Sequence, residues 1–301
     1  MKKRAVSSLL ASLAVVSLIL PALATEPLEN EETPADVETE PESAIFLDGI
    51  SQPVEYEIRN GITYVTVASF VSMMDPQAVV EEENGVATVS SAKVEEIVDD
   101  EGNTANVVQE TLSMTVSIQV PYIVANGRYL YAKDSLTMLN DRVAAPVRAL
   151  AKVFNLDVSY DSEARAVLLT HGQTLDAYIQ PGGSYYNGDT LYWLSRIIYA
   201  ESGNQILDGK IAVGNVVMNR VNSPLFPNNI YDVLTQKNQF SPASTLSKKT
   251  PNSESVLAAK LVMDGAQVVP TALFFARAGA SCYASRNRPY VTTLGAHAFY
   301  A

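Results

Sequence analysis

The sequence predicts an α+β protein with two folded blocks joined by a short segment rich in turn residues. Three observations lead to this prediction. The first block shows a strand-helix-strand pattern twice, at a period near 80 residues. The second block has its helical patterns first and its strand-like patterns last, which is typical of an α+β domain. The chain has 301 residues, more than a typical single domain, so two cores are expected.

Residues 1–24 have the pattern of a secretory signal peptide. Lys2, Lys3 and Arg4 precede an apolar run from Ala5 to Leu20, and Ala22-Leu23-Ala24 supplies the small residues for cleavage after Ala24. An uncleaved membrane anchor is the rival interpretation, but the run contains four serines and is shorter than the ~20 residues that span a bilayer. We therefore expect a secreted protein with no stable membrane span after cleavage.

Residues 25–44 are rich in Glu, Pro and Thr and contain almost no large apolar side chains. Such a segment buries too little surface to offset the entropy of ordering it, so it is interpreted as a disordered acidic linker. The formal net charge of the chain is -12, and it becomes -15 when the three cations of the leader are removed. This acidity argues against nucleic acid as a partner, because nucleic-acid binding needs a basic footprint.

Residues 45–171 form the first predicted block. 'VTVASFVSMMDPQAVVEEENGVATV' aligns with 'AAPVRALAKVFNLDVSYDSEARAVLL', which places Val67 over Val147 and Phe70 over Leu150. Each copy has the pattern of a strand, an amphipathic helix and a strand pair around a turn. Packing of the two units against each other accounts for these apolar residues without any binding site. His171 follows the last strand with no second histidine nearby, so no metal is expected there.

Residues 172–189 carry Pro-Gly-Gly and Asn-Gly turn signals and are predicted to be a linker. Residues 190–301 form the second block, which begins with a helix capped by Asp189 or Thr190. The helix is expected to end at Gly203 and Asn204, and the polar exceptions of the following helix, from Asp208 to Ser223, are expected to brace the loop 'SPLFPNNI'.

Glu201 occupies an unusual place in the first of these helices. It follows Leu191, Leu194 and Ile198 at spacings of three, four and three residues, which puts it on the apolar face. It also lies in the last turn, where the negative end of the helix dipole disfavours a carboxylate. Both effects favour a protonated carboxyl that can act as a general acid. A glutamate that turns into water from a frayed helix end fits the same spacing. The spacing alone does not decide between a buried general acid and a solvent-exposed carboxylate.

Cys282 is the only cysteine, so no intrachain disulfide can form. A peptidase with Cys282 as nucleophile and His297 as base is an alternative function. However, 'GASCYASRNRPY' has the pattern of a loop, whereas a reactive thiolate usually lies at a helix N-terminus. Two histidines are too few for a catalytic zinc site, so no metal and no cofactor are expected.

The segments 'RIIYAESGN', 'GKIAVGNVVMNRVNSPLFPNNIYDVL', 'NQFSP', 'ALFFARAG' and 'RPYVTTLGAHAFY' together resemble the SleB-type cell-wall hydrolases, the spore-cortex-lytic family. The resemblance implies a lysozyme-like catalytic domain, with peptidoglycan glycan strands as partner and a location in the cell wall or spore envelope. The implied reaction cleaves the β-1,4 bond between N-acetylmuramic acid and N-acetylglucosamine, with Glu201 as catalytic acid. The predicted substrate contacts are Ser202, Asn204, Gln239, Phe240, Ser241 and His297. Two departures from the family pattern, at Ala296 and at Ser202-Gly203-Asn204, leave the substrate contacts open.

'ANGRYLYAKDSLTMLNDRVAAPVRALAKVFNLDVSYDSEARAVLLT' resembles the N-terminal stalk domain named after copper amine oxidases, which is no indication of copper. The complete prediction is a lysozyme-like catalytic domain preceded by a duplicated strand-helix-strand stalk domain. A lytic transglycosylase is favoured, because it needs one carboxyl group and ordinary glycosidases need two. A second acid could come only through folding, from Asp189, Asp208, Asp232, Glu254 or Asp264. A non-catalytic wall-binding protein is the remaining alternative.

Overall fold

The computed structural model describes residues 45–98, 104–132, 136–173, 177–237, 240 and 243–301. The predicted signal peptide and acidic linker lie outside these ranges and stay predictions. Helices and strands both occur, so the mixed α+β class is confirmed. Within the described ranges, no helix combines the length and the hydropathy that a membrane span requires.

The first block consists mainly of strands. Its elements are β1 (Ile45–Leu47), β2 (Ile50–Ser51), β3 (Tyr56–Arg59), β4 (Ile62–Thr66), α1 (Val67–Met74), β5 (Val79–Glu83), β6 (Val86–Val98), β7 (Thr104–Ser117), β8 (Tyr122–Ala125), β9 (Arg128–Tyr131), β10 (Thr137–Leu139), β11 (Arg142–Pro146), α2 (Val147–Val153), β12 (Leu156–Asp161) and β13 (Ala166–His171).

These strands form three sheets. One has the order β5-β6-β7-β8-β9, a second β10-β11-β4-β3, and a third β12-β13-β1-β2, in which β1 and β13 are parallel. Phe70 in α1 and Leu150 in α2, which the sequence alignment superimposes, are both fully buried in one shared core. The order strand, helix, strand pair occurs twice, but β5-β6 and β12-β13 belong to different sheets. The duplicated arrangement of the stalk therefore stays a prediction.

The segment predicted as a linker is packed against the first block. Tyr178 and Ile179 are buried in its core, and α3 (Gly182–Tyr185) follows directly. Gly182 lies so close to the backbone of Gly127 that a Cβ atom on Gly182 would stand 2.4 Å from the Gly127 carbonyl oxygen. A side chain at this position would separate the two segments.

The second block has helices first and a small sheet last, as predicted. Its elements are α4 (Gly188–Ser202), α5 (Leu207–Val221), α6 (Ile230–Thr235), α7 (Ala243–Leu246), α8 (Ser253–Met263), β14 (Phe274–Arg277), α9 (Tyr283–Asn287), β15 (Tyr290–Leu294) and β16 (His297–Tyr300). The three strands form one antiparallel sheet in the order β14-β16-β15.

The beginning of α4 differs from the prediction. Its N-cap is Asn187, whose Oδ1 accepts a hydrogen bond from the Thr190 backbone N–H at 2.9 Å. Neither Asp189 nor Thr190 is the cap, because the asparagine of the Asn-Gly pair already satisfies a free N–H of the first turn. The predicted end is correct, since Gly203 caps the helix and leaves Glu201 in its last turn.

Helix α5 is the centre of the second block, and every residue from Gly209 to Val217 is buried. At Gly214 an added Cβ would lie 2.9 Å from Val262 Cγ2 of α8 and 3.0 Å from Ile198 Cδ1 of α4. The absence of a side chain therefore lets both helices pack closely against α5. Two buried polar side chains of this helix are paired. Asn215 donates to the Ala266 carbonyl at 2.7 Å, and Lys210 pairs with Glu254.

The two blocks are joined by a buried ion pair between β9 and the end of α8. Arg128 Nε donates to Asp264 Oδ1 at 2.8 Å, and the side chains are 8% and 0% exposed. The Tyr186 hydroxyl also donates to Asp264, and Tyr131 donates to Asp208 at 2.8 Å. Asp264, one of the candidates for a second catalytic acid, is both the C-cap of α8 and the acid at the centre of a buried contact.

Candidate active site

A cleft of about 500 Å³ opens between the end of α4, the end of α5 and the small sheet. We call it the Glu201 cleft. The described residues that line it are Glu201, Arg220, Phe240, Phe274, Phe275, Ala276, Arg277, Cys282, Tyr283, Ala284 and His297. Four of these side chains are phenylalanine or tyrosine, and Glu201, Arg220, Arg277, Cys282 and His297 add polar or charged groups, so the lining mixes aromatic and polar side chains.

Glu201 reaches this cleft because of its position on α4. Leu194 and Ile198 on the same helical face are fully buried in the core, whereas Glu201, one turn further, is only partly buried. The apolar face of the helix therefore continues from the core to the floor of the cleft. Among the described residues that line the cleft, Glu201 is the one acid.

His297 at the start of β16 faces the same cleft. Gln205 Oε1 accepts from the Ala296 backbone N–H at 2.8 Å and ties the turn before His297 to the segment after Glu201. The imidazole packs edge-on against Phe275, with the ring centroids 5.4 Å apart. Burial lowers the pKa of His297, and the negative charge of Glu201 opposes this effect. Its Nδ1 atom is buried and has no hydrogen-bond partner among the described residues.

The remaining predicted contacts are distributed unevenly. Phe240 lines the cleft, with its ring centroid 6.3 Å from that of Phe275. Ser202 is fully buried and donates to the Ile198 carbonyl at 2.8 Å, so the structure does not bring it to the cleft. Asn204 is exposed and does not line the cleft. Gln239 and Ser241 lie outside the described residues.

Arg220 lines the cleft and also contacts the loop 'SPLFPNNI', which it was expected to brace. Its guanidinium carbon lies 5.0 Å from the centroid of Phe226 in that loop, and its Nε donates to the Leu273 carbonyl at 2.7 Å. Its neighbour Asn219 likewise donates to the Val269 and Ala272 carbonyls. Burial lowers the pKa of Arg220 to about 10. A buried arginine at the end of an otherwise apolar helix was the available signal, because such a charge needs a partner or a function.

Cys282 also lies in the cleft, and its surroundings differ from the prediction. The segment read as a loop contains the five-residue helix α9, and Cys282 is its N-cap. The Ser285 backbone N–H donates to Cys282 Sγ at 3.4 Å, and this bond lowers the pKa of the thiol. The prediction that Cys282 lies in a loop was therefore wrong, because a helix this short has no periodic apolar pattern that would reveal it.

The other acids considered as a second catalytic carboxylate do not line the cleft. Asp208 and Asp264 bind the first block, Glu254 pairs with Lys210, and Asp232 lies in the first turn of α6. Asp189 lines a separate pocket beside Trp193. The described part of the chain contains no group of three His, Cys, Asp or Glu side chains that could hold a metal ion.

Two protein families match different parts of the chain. Residues 204–300 match the family described as Cell Wall Hydrolase, and residues 51–169 match the Copper amine oxidase N-terminal domain. Glu201 lies three residues before the first of these ranges. A stretch of 60 residues is 33% identical to the Spore cortex-lytic enzyme of Bacillus subtilis (strain 168), which is 20% of this chain and 19% of that protein. The match thus spans about a fifth of the relative's length.

Two solved structures are also similar. The catalytic domain of the Bacillus cereus SleB protein is 26% identical, over 38% of this chain and 92% of that chain, with a TM-score of 0.36. The catalytic domain of the germination-specific lytic transglycosylase SleB from Bacillus anthracis is 27% identical, over 40% of this chain and all of that chain, with a TM-score of 0.37. The resemblance inferred from the sequence is confirmed: the chain combines a segment similar to copper amine oxidase N-terminal domains with a segment similar to cell wall hydrolases.

Proposed function

We propose that the protein is a secreted glycosidase that cleaves peptidoglycan at the bond between N-acetylmuramic acid and N-acetylglucosamine. The observation that carries the proposal is the position of Glu201, a partly buried carboxyl in an aromatic cleft of the block that resembles cell wall hydrolases. We assign catalysis to residues 190–301 and attachment to the wall to the stalk at residues 45–171. Residues 1–24 serve as the signal peptide, and residues 25–44 and 172–189 serve as linkers. The site of action is the cell wall or spore envelope.

A lytic transglycosylase is the reaction type that fits one acid. Glu201 donates its proton to the bridging oxygen as the bond from that oxygen to C1 of the muramic acid breaks. The carboxylate then takes the proton of the C6 hydroxyl while O6 bonds to C1 and closes a 1,6-anhydro ring. Because the attacking hydroxyl belongs to the substrate, its effective concentration is high, which is worth up to about 7 to 11 kcal/mol over a bimolecular step. A hydrolase would instead need a second carboxylate about 5 to 9.5 Å from the first.

His297 and Phe240 are the substrate contacts that this site supports. A neutral imidazole can donate one hydrogen bond to a sugar hydroxyl or amide and accept another from it. An aromatic ring offers a face on which the apolar side of a sugar ring can pack. Both side chains share the cleft with Glu201.

A wall peptidase is the second candidate, because Cys282 and His297 line the same cleft. Among the described residues, however, no hydrogen bond joins the Cys282 thiol to the His297 imidazole, and the thiol accepts from Ser285 instead. A nucleophile and its base are expected within hydrogen-bond reach of each other, although this distance is often longer without substrate. The glycosidase is therefore favoured over the peptidase. A wall-binding protein without turnover is the third candidate.

The deciding experiment is the digestion of purified peptidoglycan with the full chain and with Glu201→Gln, followed by mass spectrometry of the sugar ends. The amide keeps the shape of the side chain and loses the transferable proton, so we expect a loss of at least ~10²-fold in rate. The expected product carries 1,6-anhydromuramic ends. Reducing muramic ends would identify a hydrolase, free peptides would identify a peptidase, and normal activity of a folded Glu201→Gln protein would refute the role of this residue.

A further inference from the structure

A second pocket lies at the other end of α4, away from the Glu201 cleft. It has a volume of about 500 Å³ and is lined by the first turns of α4, the end of α5 and the start of α6. The described residues that line the pocket and the cleft do not overlap. Trp193 in the pocket and Glu201 in the cleft are eight positions apart on one helix, so about 12 Å separates them along its axis. We call this site the tryptophan pocket.

Two aromatic side chains form one wall of the tryptophan pocket. The ring centroids of Trp193 and Tyr231 are 5.3 Å apart, and the ring planes meet at 62°. Tyr231 is 49% exposed, whereas Trp193 is half-buried and packs against the core of the second block. On its other side Trp193 meets the ring of Tyr192 edge-on, with the centroids 5.0 Å apart. The wall is therefore held in place before a ligand arrives, which lowers the entropy cost of binding.

Polar side chains stand at the rim of the same pocket. Asp189 and Asn228 are both exposed and line it. Within the described ranges, neither side chain has a hydrogen-bond or ion-pair partner. Asn229 beside them is already used, because its Oδ1 caps α6 by accepting from the Asp232 backbone N–H at 2.9 Å. The rim thus offers a free carboxylate acceptor and a free amide that can both donate and accept.

The lining selects a neutral ligand with an apolar face. No lysine or arginine occurs among the described residues of the tryptophan pocket, so no group there compensates an anion. The Glu201 cleft differs in this respect, because Arg220 and Arg277 line it. An aromatic wall with a few polar groups at its rim is typical of sites for small organic ligands. A sugar ring fits both parts, since it has an apolar face of C–H groups and a rim of hydroxyl and amide groups.

We propose that the tryptophan pocket binds an N-acetylated sugar unit and holds a glycan strand at a second point, outside the cleft in which the strand is cut. The identity of the polymer rests on the glycosidase function proposed above. A strand bound at two points dissociates less readily than a strand bound at one, because the second contact forms at a high effective concentration. The pocket therefore contributes to the binding of long strands and takes no part in bond cleavage.

An ammonium group is the competing ligand, because a cation can also stack on tryptophan and tyrosine beside an acid. The volume of the pocket, about 500 Å³, lies within the range of sites that enclose a whole small molecule and exceeds what one ammonium group fills. The uncharged amide of Asn228 at the rim also suits the hydroxyl and acetamido groups of a sugar. The sugar is therefore favoured.

Trp193 is the only tryptophan of the chain, so tryptophan fluorescence reports on this pocket directly. The test titrates the full chain carrying Glu201→Gln with the tetramer of N-acetylglucosamine, so that no bond is cut during the measurement. We expect a saturable change in the emission of Trp193. Adding Tyr231→Ala should raise the Kd of this titration about 3- to 10-fold, the scale of one lost aromatic contact.

Asn228→Ala provides a second variant that leaves the aromatic packing intact, because Asn228 is exposed and lies in the loop before α6. It should raise the same Kd about 2- to 10-fold, the range for one lost neutral hydrogen bond. If Tyr231→Ala does not fold, as judged by its melting curve, Asn228→Ala decides the question.

Tyr290→Ala is the matched control. Tyr290 is also an exposed tyrosine of the second block that packs edge-on against one aromatic ring, with its centroid 6.0 Å from that of Tyr300. It lines neither the cleft nor the tryptophan pocket. This variant should leave the Kd unchanged. Phe240→Ala alters the cleft and should likewise leave the fluorescence titration unchanged.

An emission of Trp193 that does not respond to the tetramer would overturn the proposal. A rise in Kd for Phe240→Ala as large as that for Tyr231→Ala would also overturn it, because the sugar would then be bound in the cleft. The tetramer of glucosamine, which is cationic, is the second probe. Tighter binding of this probe than of the N-acetylated tetramer would assign the pocket to an amine and refute the sugar.

Digestion by the chain with Glu201 intact gives an independent readout. Tyr231→Ala should raise KM for long glycan strands about 3- to 10-fold and leave kcat unchanged, because the pocket contributes binding alone. Both constants should stay unchanged for a tetrasaccharide, whose sugars are taken up by the cleft. An equal loss on the two substrates would contradict a second binding point. Failure of the glycosidase proposal appears instead as unchanged digestion by Glu201→Gln, and the fluorescence titration does not depend on cleavage, so the two failures can be told apart.

Discussion

The buried ion pair between Arg128 and Asp264 makes a quantitative prediction about how the two blocks depend on each other. Arg128 approaches Asp264 Oδ1 with both Nε and a terminal nitrogen, while Oδ2 accepts from the Tyr129 backbone N–H at 3.2 Å and from the Tyr186 hydroxyl. Arg128→Met keeps a long apolar side chain and removes both donors to Oδ1. Asp264 then stays buried with two neutral donors on Oδ2, and Lys152, whose Nζ donates to the Asp264 backbone carbonyl, is the cation that remains beside it.

The expected cost follows from this geometry. Removing one partner of a buried ion pair costs about 3 to 5 kcal/mol, because the other charge is left uncompensated. The two donors that remain on Oδ2 place the loss near the lower end of this range. In a unit of this size each kcal/mol lowers Tm by about 2 to 4 °C, so Arg128→Met should lower Tm by roughly 6 to 12 °C.

Calorimetry of the full chain provides the measurement, with Arg142→Met as matched control. Arg142 is an arginine of the first block in an exposed pair with Glu82, and its side chain is 52% exposed. Exposed pairs contribute at most about 1 kcal/mol, so this variant should shift Tm by less than about 4 °C. A Tm shift for Arg128→Met no larger than that of Arg142→Met would refute the reasoning. The double variant Arg128→Met, Asp264→Asn should recover part of the loss, because it removes the isolated charge.

Three further predictions concern the cleft and the division of the chain. Cys282→Ser should keep at least half of the lytic rate, because the thiol has no bond to His297 among the described residues; inactivation would revive the peptidase. His297→Gln should flatten the pH dependence of unfolding by urea below pH 6.5. Burial lowers the pKa of His297 from its ordinary 6.5, so the unfolded chain takes up the proton first and the wild-type protein loses stability as pH falls through that window; an equal slope in the variant would contradict this. A truncated chain beginning at Gly182 should have a lower Tm than Arg128→Met, because it loses the contacts of Arg128, Lys152 and Tyr131 together. It should still cleave soluble glycan fragments at low temperature. Loss of that activity would show that the first block takes part in catalysis.

The contribution of the sequence was greatest where a pattern is local. The three-four-three spacing of Leu191, Leu194, Ile198 and Glu201 was enough to place the acid on the apolar face of α4, and the glycine after it marked the end of the helix. The apolar run of α5 predicted a helix surrounded by protein, which the structure shows. These features depend on neighbours within one or two turns, and the sequence lists such neighbours directly.

Some local signals were still too weak to read. The N-cap of α4 is Asn187 and neither of the two predicted residues, because an Asn-Gly pair fits a turn and a helix start equally well. Helix α9 was missed because five residues contain little more than one turn, so no periodicity develops. That omission changed the chemistry assigned to Cys282, which the sequence placed in a loop and the structure places at a cap.

The tertiary structure alone decided which distant residues share a site. Arg220, Cys282 and His297 meet Glu201 in one cleft although they lie 19, 81 and 96 positions after it, and Arg128 meets Asp264 across 136 positions. The sequence therefore placed Glu201 on the apolar face of its helix and predicted the helical centre and the small sheet of the second block. It could not determine what surrounds the carboxyl or holds the blocks together, because such contacts depend on how helices and sheets pack, and the spacing of residues along one element carries no information about the partner on another.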